Sequence, residues 1–184
     1  PKNHREAMSR PDAQKWRNAE IEECISHDEN DTLSKPIILP PGAHVIPCAW
    51  VYKIKRDGRY KALIIIRGYH MLPGIDLNET FTPVARVASV RIILAIACKQ
   101  NLELIQLDIT TAFLSAEMDT EVYVSLPAGF SSDPSLNIPD GNSKTIHRLK
   151  KGIPGIPQGS RLFNKKIHKV LVAMDFERLD DDFC

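Results

Sequence analysis

The chain has 184 residues, 43% of them apolar and 26% charged, which suits one soluble domain or a large piece of one. Its formal net charge of +1 supplies no global field toward nucleic acid, so any basic surface must be local. No apolar run reaches membrane-spanning length, no signal peptide is visible, and the four scattered cysteines form no C-x-x-C pair.

Residues 9–27 (SRPDAQKWRNAEIEECISH) predict a helix. Pro11 and Asp12 suit its first turn after Ser9 or Arg10, and Ala13, Trp16 and Ala19 share a face. Cys24 and His27 have C-x-x-H spacing but lack a second ligand pair, so buried thiols in a reducing compartment are the preferred reading. Residues 45–55 and 60–67 predict two strands, and the Asp57-Gly58 pair between them is a hairpin signal. Period 2 puts Lys53 and Lys55 on one face of the first strand, opposite Trp50, Tyr52 and Ile54. On the second strand Lys61, Leu63, Ile65 and Arg67 share a face. A solvated sheet face would carry such charges too.

Residues 68–86 predict a loop, punctuated by Gly68, Pro73, Gly74 and Pro83. Ser89 caps a predicted helix to Gln100 that is apolar nearly all round, hence buried. Residues 102–107 (LELIQL) predict a buried strand ending at Asp108. A short helix over 111–117, a strand at 121–126, a polar insert at 131–144 and a strand at 145–149 follow. Residues 152–159 (GIPGIPQG) cannot be regular structure. Ser160 then caps a predicted helix with Phe163, Ile167, Val170, Leu171 and Met174 on its core stripe. Trp16 and Trp50 read as core; His70, His147 and His168 read as surface or satisfied residues. The pattern is that of an α+β or α/β fold.

A carboxylate at a strand end can ligate a hard cation such as Mg²⁺. Helix-start N–H groups at Thr111, Ala112 and Phe113 could hold phosphate oxygens, with small residues admitting a ligand and Phe113 as a flat floor. An ordinary strand-end aspartate reads the same way from spacing alone.

Five stretches in order carry a resemblance: 6–23, 49–69, 73–97, 106–130 and 148–163. Among them GIDLNETFTPVAR and QLDITTAFL are specific. The chain resembles the reverse transcriptase of copia-type LTR retrotransposons. The resemblance implies an α+β right-hand polymerase fold. Residues 1–86 would be an N-terminal helix and a fingers β-hairpin. Residues 87–184 would be an incomplete palm sheet with packed helices and some fingers-like segments, all in one truncated domain. Asp108 matches the first of three aspartates that hold two Mg²⁺ ions about 4 Å apart. Phe113 matches the aromatic gate against a ribose 2′-OH, Lys61 and Arg67 match basic finger residues, and Gln158 matches a glutamine near the nascent base pair. Partners implied are an RNA or DNA template–primer, dNTP, and the integrase, protease and RNase H of one polyprotein. The implied setting is a cytoplasmic virus-like particle.

Departures are equally specific. The family's tyrosine-x-Asp-Asp hairpin is missing, and Leu179-Asp180-Asp181-Asp182 lacks the apolar strands to replace it. Leu63 stands in place of an arginine, Pro154 and Pro157 stand in a segment that usually has neither, and Leu33 replaces a tryptophan. With one aspartate the chain is expected not to polymerise alone, leaving a nucleic-acid-binding module or a degenerate relic as alternatives. The ends read as those of a fragment.

Overall fold

A computed structural model describes residues 1–130 and 145–178. The elements in order are α1 (His4–Met8), α2 (Ala13–Glu29), β1 (Val45–Ile54), β2 (Tyr60–Ile66), α3 (Val87–Gln100), β3 (Tyr123–Ser125), β4 (Ile146–Arg148) and α4 (Gly159–Ala173). Two short 3-10 turns lie at Gly68–His70 and Phe113–Ser115. The helix predicted over 9–27 is α2, displaced by a few residues, and α1 is an additional helix that precedes it. Asn3 caps α1 by accepting from Glu6 N–H at 2.9 Å, and α2 starts after Asp12.

The hairpin lies where Asp-Gly places it. Gly58 takes φ +82°, and β1 and β2 pair antiparallel from Cys48↔Ile66 to Ile54↔Tyr60. β3 pairs parallel to β1, and β4 antiparallel to β3, giving one described sheet in the order β2-β1-β3-β4. Thus two strands from the second half of the chain extend the hairpin's sheet.

Alternation decides the inner face. Ile46, Cys48 and Trp50 of β1 and Ala62, Ile64 and Ile66 of β2 are buried. They meet Ala19 and Cys24 of α2 in one core cluster. Trp16, also buried, packs edge-on against Tyr52 and Tyr60. The helix also buries two carboxylates, each with donors. Glu20 accepts from the Tyr52 hydroxyl at 2.5 Å and pairs with His4 at 2.8 Å. Glu23 accepts from Ile64 N–H at 3.1 Å, covering part of the exposed ladder edge of β2. Pro154 C=O continues that cover by accepting from Ile66 N–H at 2.9 Å. Leu33 bridges Leu149 and packs on the core. His147 is buried and satisfied by Ser34 C=O at 2.8 Å, while His70 is exposed. Cys24 and Cys48 are buried, and Cys98 is exposed.

Four expectations need correction. α3 is not buried: Val87, Ile92 and Ile93 are each more than half exposed, and its cap position is Arg86. Residues 102–107 form no strand, with Ile105 82% and Leu107 84% exposed. The predicted helix over 111–117 is only the 3-10 turn Phe113–Ser115. α4 starts from Gln158 rather than Ser160, and Val170, Leu171 and Met174 of its stripe are exposed. The cause is common to the helices and the extended segment. Apolar residues bury only against a partner, and among the described residues the cover is partial: Val90 and Ile93 of α3 share a groove with Leu171 and Val172 of α4 and stay largely exposed. The insert 131–144 and the acidic run at 180–182 lie outside the described residues.

Candidate functional site

A cavity of about 570 Å³ opens between α2, the tip half of the β1–β2 hairpin and the turn after residue 108. Lys61, Thr111, Ala112 and Phe113 line it together, though Lys61 is far from the other three in sequence. The hairpin adds two cations that sequence reasoning did not assign to the site, Lys55 and Arg59. Arg59 is already engaged by Asp57, with Nη2 at 2.7 Å and Nε at 2.8 Å from one carboxylate oxygen. That guanidinium hydrogen bond holds the Asp57 carboxyl below its usual range. Lys55 and Lys61 have no carboxylate in salt-bridge contact among the described residues, which leaves two ammonium groups for an anionic ligand. Glu22 and Glu23 lie on the opposite wall, but Glu23 is turned to the Ile64 N–H.

Phe113 is set by the glycines around it. A Cβ on Gly152 would sit 3.1 Å from Phe113 C=O, and one on Gly159 would sit 3.1 Å from the Phe113 ring. The ring therefore rests on the bare start of α4. The turn that presents it begins with Thr111 at φ +53°, a left-handed conformation uncommon for a threonine. Ser115 N–H then donates to Thr111 C=O at 3.2 Å. A three-residue 3-10 turn is too short to supply the helix-start donors expected at 111–113, so only the shape and smallness of Thr111 and Ala112 remain from that reading.

The other expected site residues lie elsewhere. Asp108 is exposed in an extended segment, one residue before Ile109, which lines the cavity. It is not at the end of a strand. Among the described residues no group of three His, Cys, Asp or Glu side chains could hold a metal ion, and this includes Cys24 with His27. Arg67 lines a separate groove with Lys2 and Arg5. Gln158 is fully buried, donating from Nε2 to Asp76 C=O at 3.2 Å and to Thr120 Oγ1 at 3.4 Å, while its Oε1 has no partner.

Gln158 belongs to a polar staple that sequence reasoning missed. Buried Asp76 accepts from Leu72 N–H at 2.8 Å and pairs with His44 at 3.0 Å. Its own C=O takes Thr120 Oγ1 at 3.0 Å. Buried Arg161, in the first turn of α4, donates to Glu79 C=O at 2.7 Å and to Asp119 at 2.5 Å. The G-I-D-L-N-E loop is thus pinned to the start of α4, directly behind Phe113. The signal available was that loop's strong resemblance; its packing role was not readable from spacing.

Comparison with known proteins gives one consistent answer. A family model described as "Reverse transcriptase (RNA-dependent DNA polymerase)" matches residues 33–183. The retrovirus-related Pol polyprotein from transposon TNT 1-94 of Nicotiana tabacum is 32% identical over 189 residues, covering 100% of this chain and 14% of the relative. The corresponding polyprotein from transposon RE2 of Arabidopsis thaliana is 33% identical over 88% of this chain and 11% of the relative. The Ty1-BL Gag-Pol polyprotein of Saccharomyces cerevisiae is 29% identical over 70% of this chain. The chain therefore spans only a small fraction of the polyproteins it matches.

Proposed function

Because the chain belongs to the reverse transcriptase (RNA-dependent DNA polymerase) family of retrotransposon Pol polyproteins, we propose that its cavity is the nucleotide-binding part of a copia-type polymerase. The observation that supports this is the joint lining by Lys61, Thr111, Ala112 and Phe113. In this reading Lys61 and Lys55 meet the triphosphate as point charges. Thr111 and Ala112 admit the ligand close to the backbone, and Phe113 flanks the sugar and excludes a 2′-OH. Gln158 acts from behind, by holding the Asp76 loop and the start of α4 on which Phe113 rests.

The metal chemistry of the family is nucleotidyl transfer assisted by Mg²⁺. The described residues do not fit a two-metal site on their own. Mg²⁺ takes six oxygens in near-octahedral geometry, with one or two carboxylates besides phosphates and water, and two ions need more carboxylates than Asp108 alone. We therefore propose that Asp108 is one ligand of an incomplete set, and that this chain by itself binds nucleotide without polymerising it. Leu63 on the cavity wall, in place of the family's arginine, removes one charge-assisted hydrogen bond worth about 1–3 kcal/mol. Template–primer, the remaining polyprotein domains and a virus-like particle are the partners and setting that membership suggests. No described helix is long and apolar enough to cross a membrane.

The test is a titration with a fluorescent dNTP beside a primer-extension assay in Mg²⁺. Lys61→Ala is expected to weaken nucleotide binding about tenfold, with no extension by either chain. Nucleotide binding that ignores Lys61 would refute the cavity's role. Extension that vanishes in Asp108→Asn would refute inactivity.

A further inference from the structure

Arg161 is a buried cation that the nucleotide reading leaves without a role. Its side chain is 7% exposed. A guanidinium taken this far out of water is costly unless its donors are met. Here Nε meets Glu79 C=O at 2.7 Å, and Nη2 meets Asp119 Oδ2 at 2.5 Å. The rigid fork therefore ties three segments at one point. They are the loop that carries Asp76 and Glu79, the chain just after the Phe113–Ser115 turn, and the first turn of α4.

A second tie joins the same segments from the other side. Met118 N–H donates to Lys150 C=O at 2.9 Å, and Gly152 N–H donates to Ala116 C=O at 2.8 Å. Gly159 lies in the chain between this tie and Arg161. It is the residue on which the Phe113 ring rests, since a Cβ there would lie 3.1 Å from the ring. Lys166 Nζ, further along α4, donates to Ser115 C=O at 2.5 Å. The turn so held is not a relaxed one, because Thr111 leads into it at φ +53°. Strain of that kind persists only where the surroundings over-determine it. The set of the Phe113 ring is thus imposed by the clamp, and Arg161 is the buried charge within it.

We propose that Arg161 is a positioning residue that sets how far the Phe113 ring stands into the cavity, and so how strongly a deoxyribonucleotide is preferred over a ribonucleotide. The proposal rests on the nucleotide reading of the cavity. Lys55 and Lys61 meet groups common to both kinds of triphosphate, so they govern affinity and not the choice of sugar. A 2′-OH exceeds a 2′-H by one oxygen atom, so a ring displacement of about 1 Å decides whether it fits. An arginine that only stabilised the fold would change both affinities together. One that places the ring changes their ratio.

The experiment measures the Kd of a base-labelled deoxynucleoside triphosphate and of its ribonucleoside counterpart with the full chain. The wild-type chain is expected to prefer the deoxynucleotide by about tenfold. Phe113→Ala is expected to bring the ratio close to one, and Lys61→Ala to weaken both ligands at an unchanged ratio. Arg161→Met is expected to lower the ratio at least threefold, the ribonucleotide gaining where the deoxynucleotide loses. Arg161→Lys, which can keep one of the two bonds, is expected to fall between Arg161→Met and the wild type. Should Arg161→Met not fold, Asp119→Asn gives the same test with less change, and a roughly twofold fall in the ratio is expected. A wild-type ratio in both Arg161→Met and Asp119→Asn, with Phe113→Ala close to one, would overturn the proposal and leave the nucleotide reading standing. A ratio that Phe113→Ala does not move would overturn both.

Discussion

Lys53 and Lys61 stand directly opposite each other in the β1–β2 ladder. Directly opposed side chains project from the same face, and like charges there are destabilising. Both lysines are exposed, and neither has a carboxylate in salt-bridge contact among the described residues. Lys61 lines the large cavity. The hairpin therefore carries a repulsion that a bound polyanion would relieve, so the free protein is less stable than its sequence could make it.

Lys53→Glu turns that repulsion into a cross-strand ion pair. Such pairs differ by about 0.2–1 kcal/mol, so the melting temperature is expected to rise by about 1–4 °C. The same change adds a negative charge beside Lys61, so affinity for a nucleoside triphosphate is expected to fall. Differential scanning calorimetry and nucleotide titration on one preparation read both. A lower melting temperature would show that the two ammonium groups splay apart and do not repel.

The hairpin was the most legible part of the chain because all its determinants are local. Asp57-Gly58 sets the turn, and period 2 sends Cys48, Trp50, Ile64 and Ile66 inward. The same period put Lys61 and Arg67 on one face, but did not say that they share no pocket. Six residues at about 3.3 Å each separate them by about 20 Å, and strand twist rotates them further. The meeting of Lys61 with Phe113 is long-range packing and became readable only through family resemblance. α3 and residues 102–107 differ from the sequence reading for a different reason. Apolar character says that a segment seeks burial, not that the described residues supply the cover. Thr111 at φ +53° had no glycine to announce it.

Gly155 and Gly159, before and at the start of α4, should differ in sensitivity. Gly155 has φ +89°, and a Cβ there would lie 2.4 Å from Ile66 C=O, a backbone atom that cannot swing away. Gly155→Ala is expected to cost about 2–4 kcal/mol, combining left-handed strain with a backbone clash. At Gly159 a Cβ meets the Ile156 side chain at 2.8 Å and the Phe113 ring at 3.1 Å, and both can shift. Gly159→Ala should cost less stability while displacing Phe113 and weakening nucleotide binding. Urea denaturation of both variants checks the order, which fails if Gly159→Ala is the more destabilising.

Asp76 and Gln158 share one network but should not share one cost. Removing the Asp76 carboxylate orphans the Leu72 N–H and His44, so Asp76→Ala is expected to lose about 2–4 kcal/mol. Gln158 already leaves its Oε1 unsatisfied, and Thr120 still donates to Asp76 C=O without it. Gln158→Met, of similar length, is expected to cost under about 1 kcal/mol. Denaturant midpoints decide this, and equal losses would mean that Gln158 Nε2 holds the loop more tightly than its 3.2 and 3.4 Å contacts suggest.

The exposed apolar segment makes a solubility prediction. Ile105 and Leu107 are 82% and 84% exposed, and α3, which precedes them in the chain, carries further exposed apolar residues. Exposed apolar surface of this kind drives self-association. Ile105→Lys with Leu107→Lys is expected to leave the melting temperature within about 2 °C and to raise the concentration at which light scattering begins. A large drop in melting temperature would show that these side chains are packed in solution.

Alkaline pH should find the buried thiol before anything else in the core. Burial pushes the Cys48 thiol up from 9.0 to about 12. Its folded-state value is raised, so the neutral thiol stabilises the fold fully below pH 9. That contribution is lost as the pH climbs toward 12, because the unfolded chain releases the proton first. Tyr52, also pushed up by burial and by its bond to Glu20, adds a second loss of the same sign above its usual value of 10. Stability is therefore expected to be flat to about pH 9 and to fall above it, and Cys48→Ala should flatten the fall between about pH 9 and 10. Thiol labelling gives an independent reading in a Cys184→Ser background. Exposed Cys98 should react with a maleimide in the native chain, whereas Cys24 and Cys48 should react only on unfolding. Native-state labelling of Cys48 as fast as Cys98 would show that β1 opens readily and that its inner face is not the core of this fold.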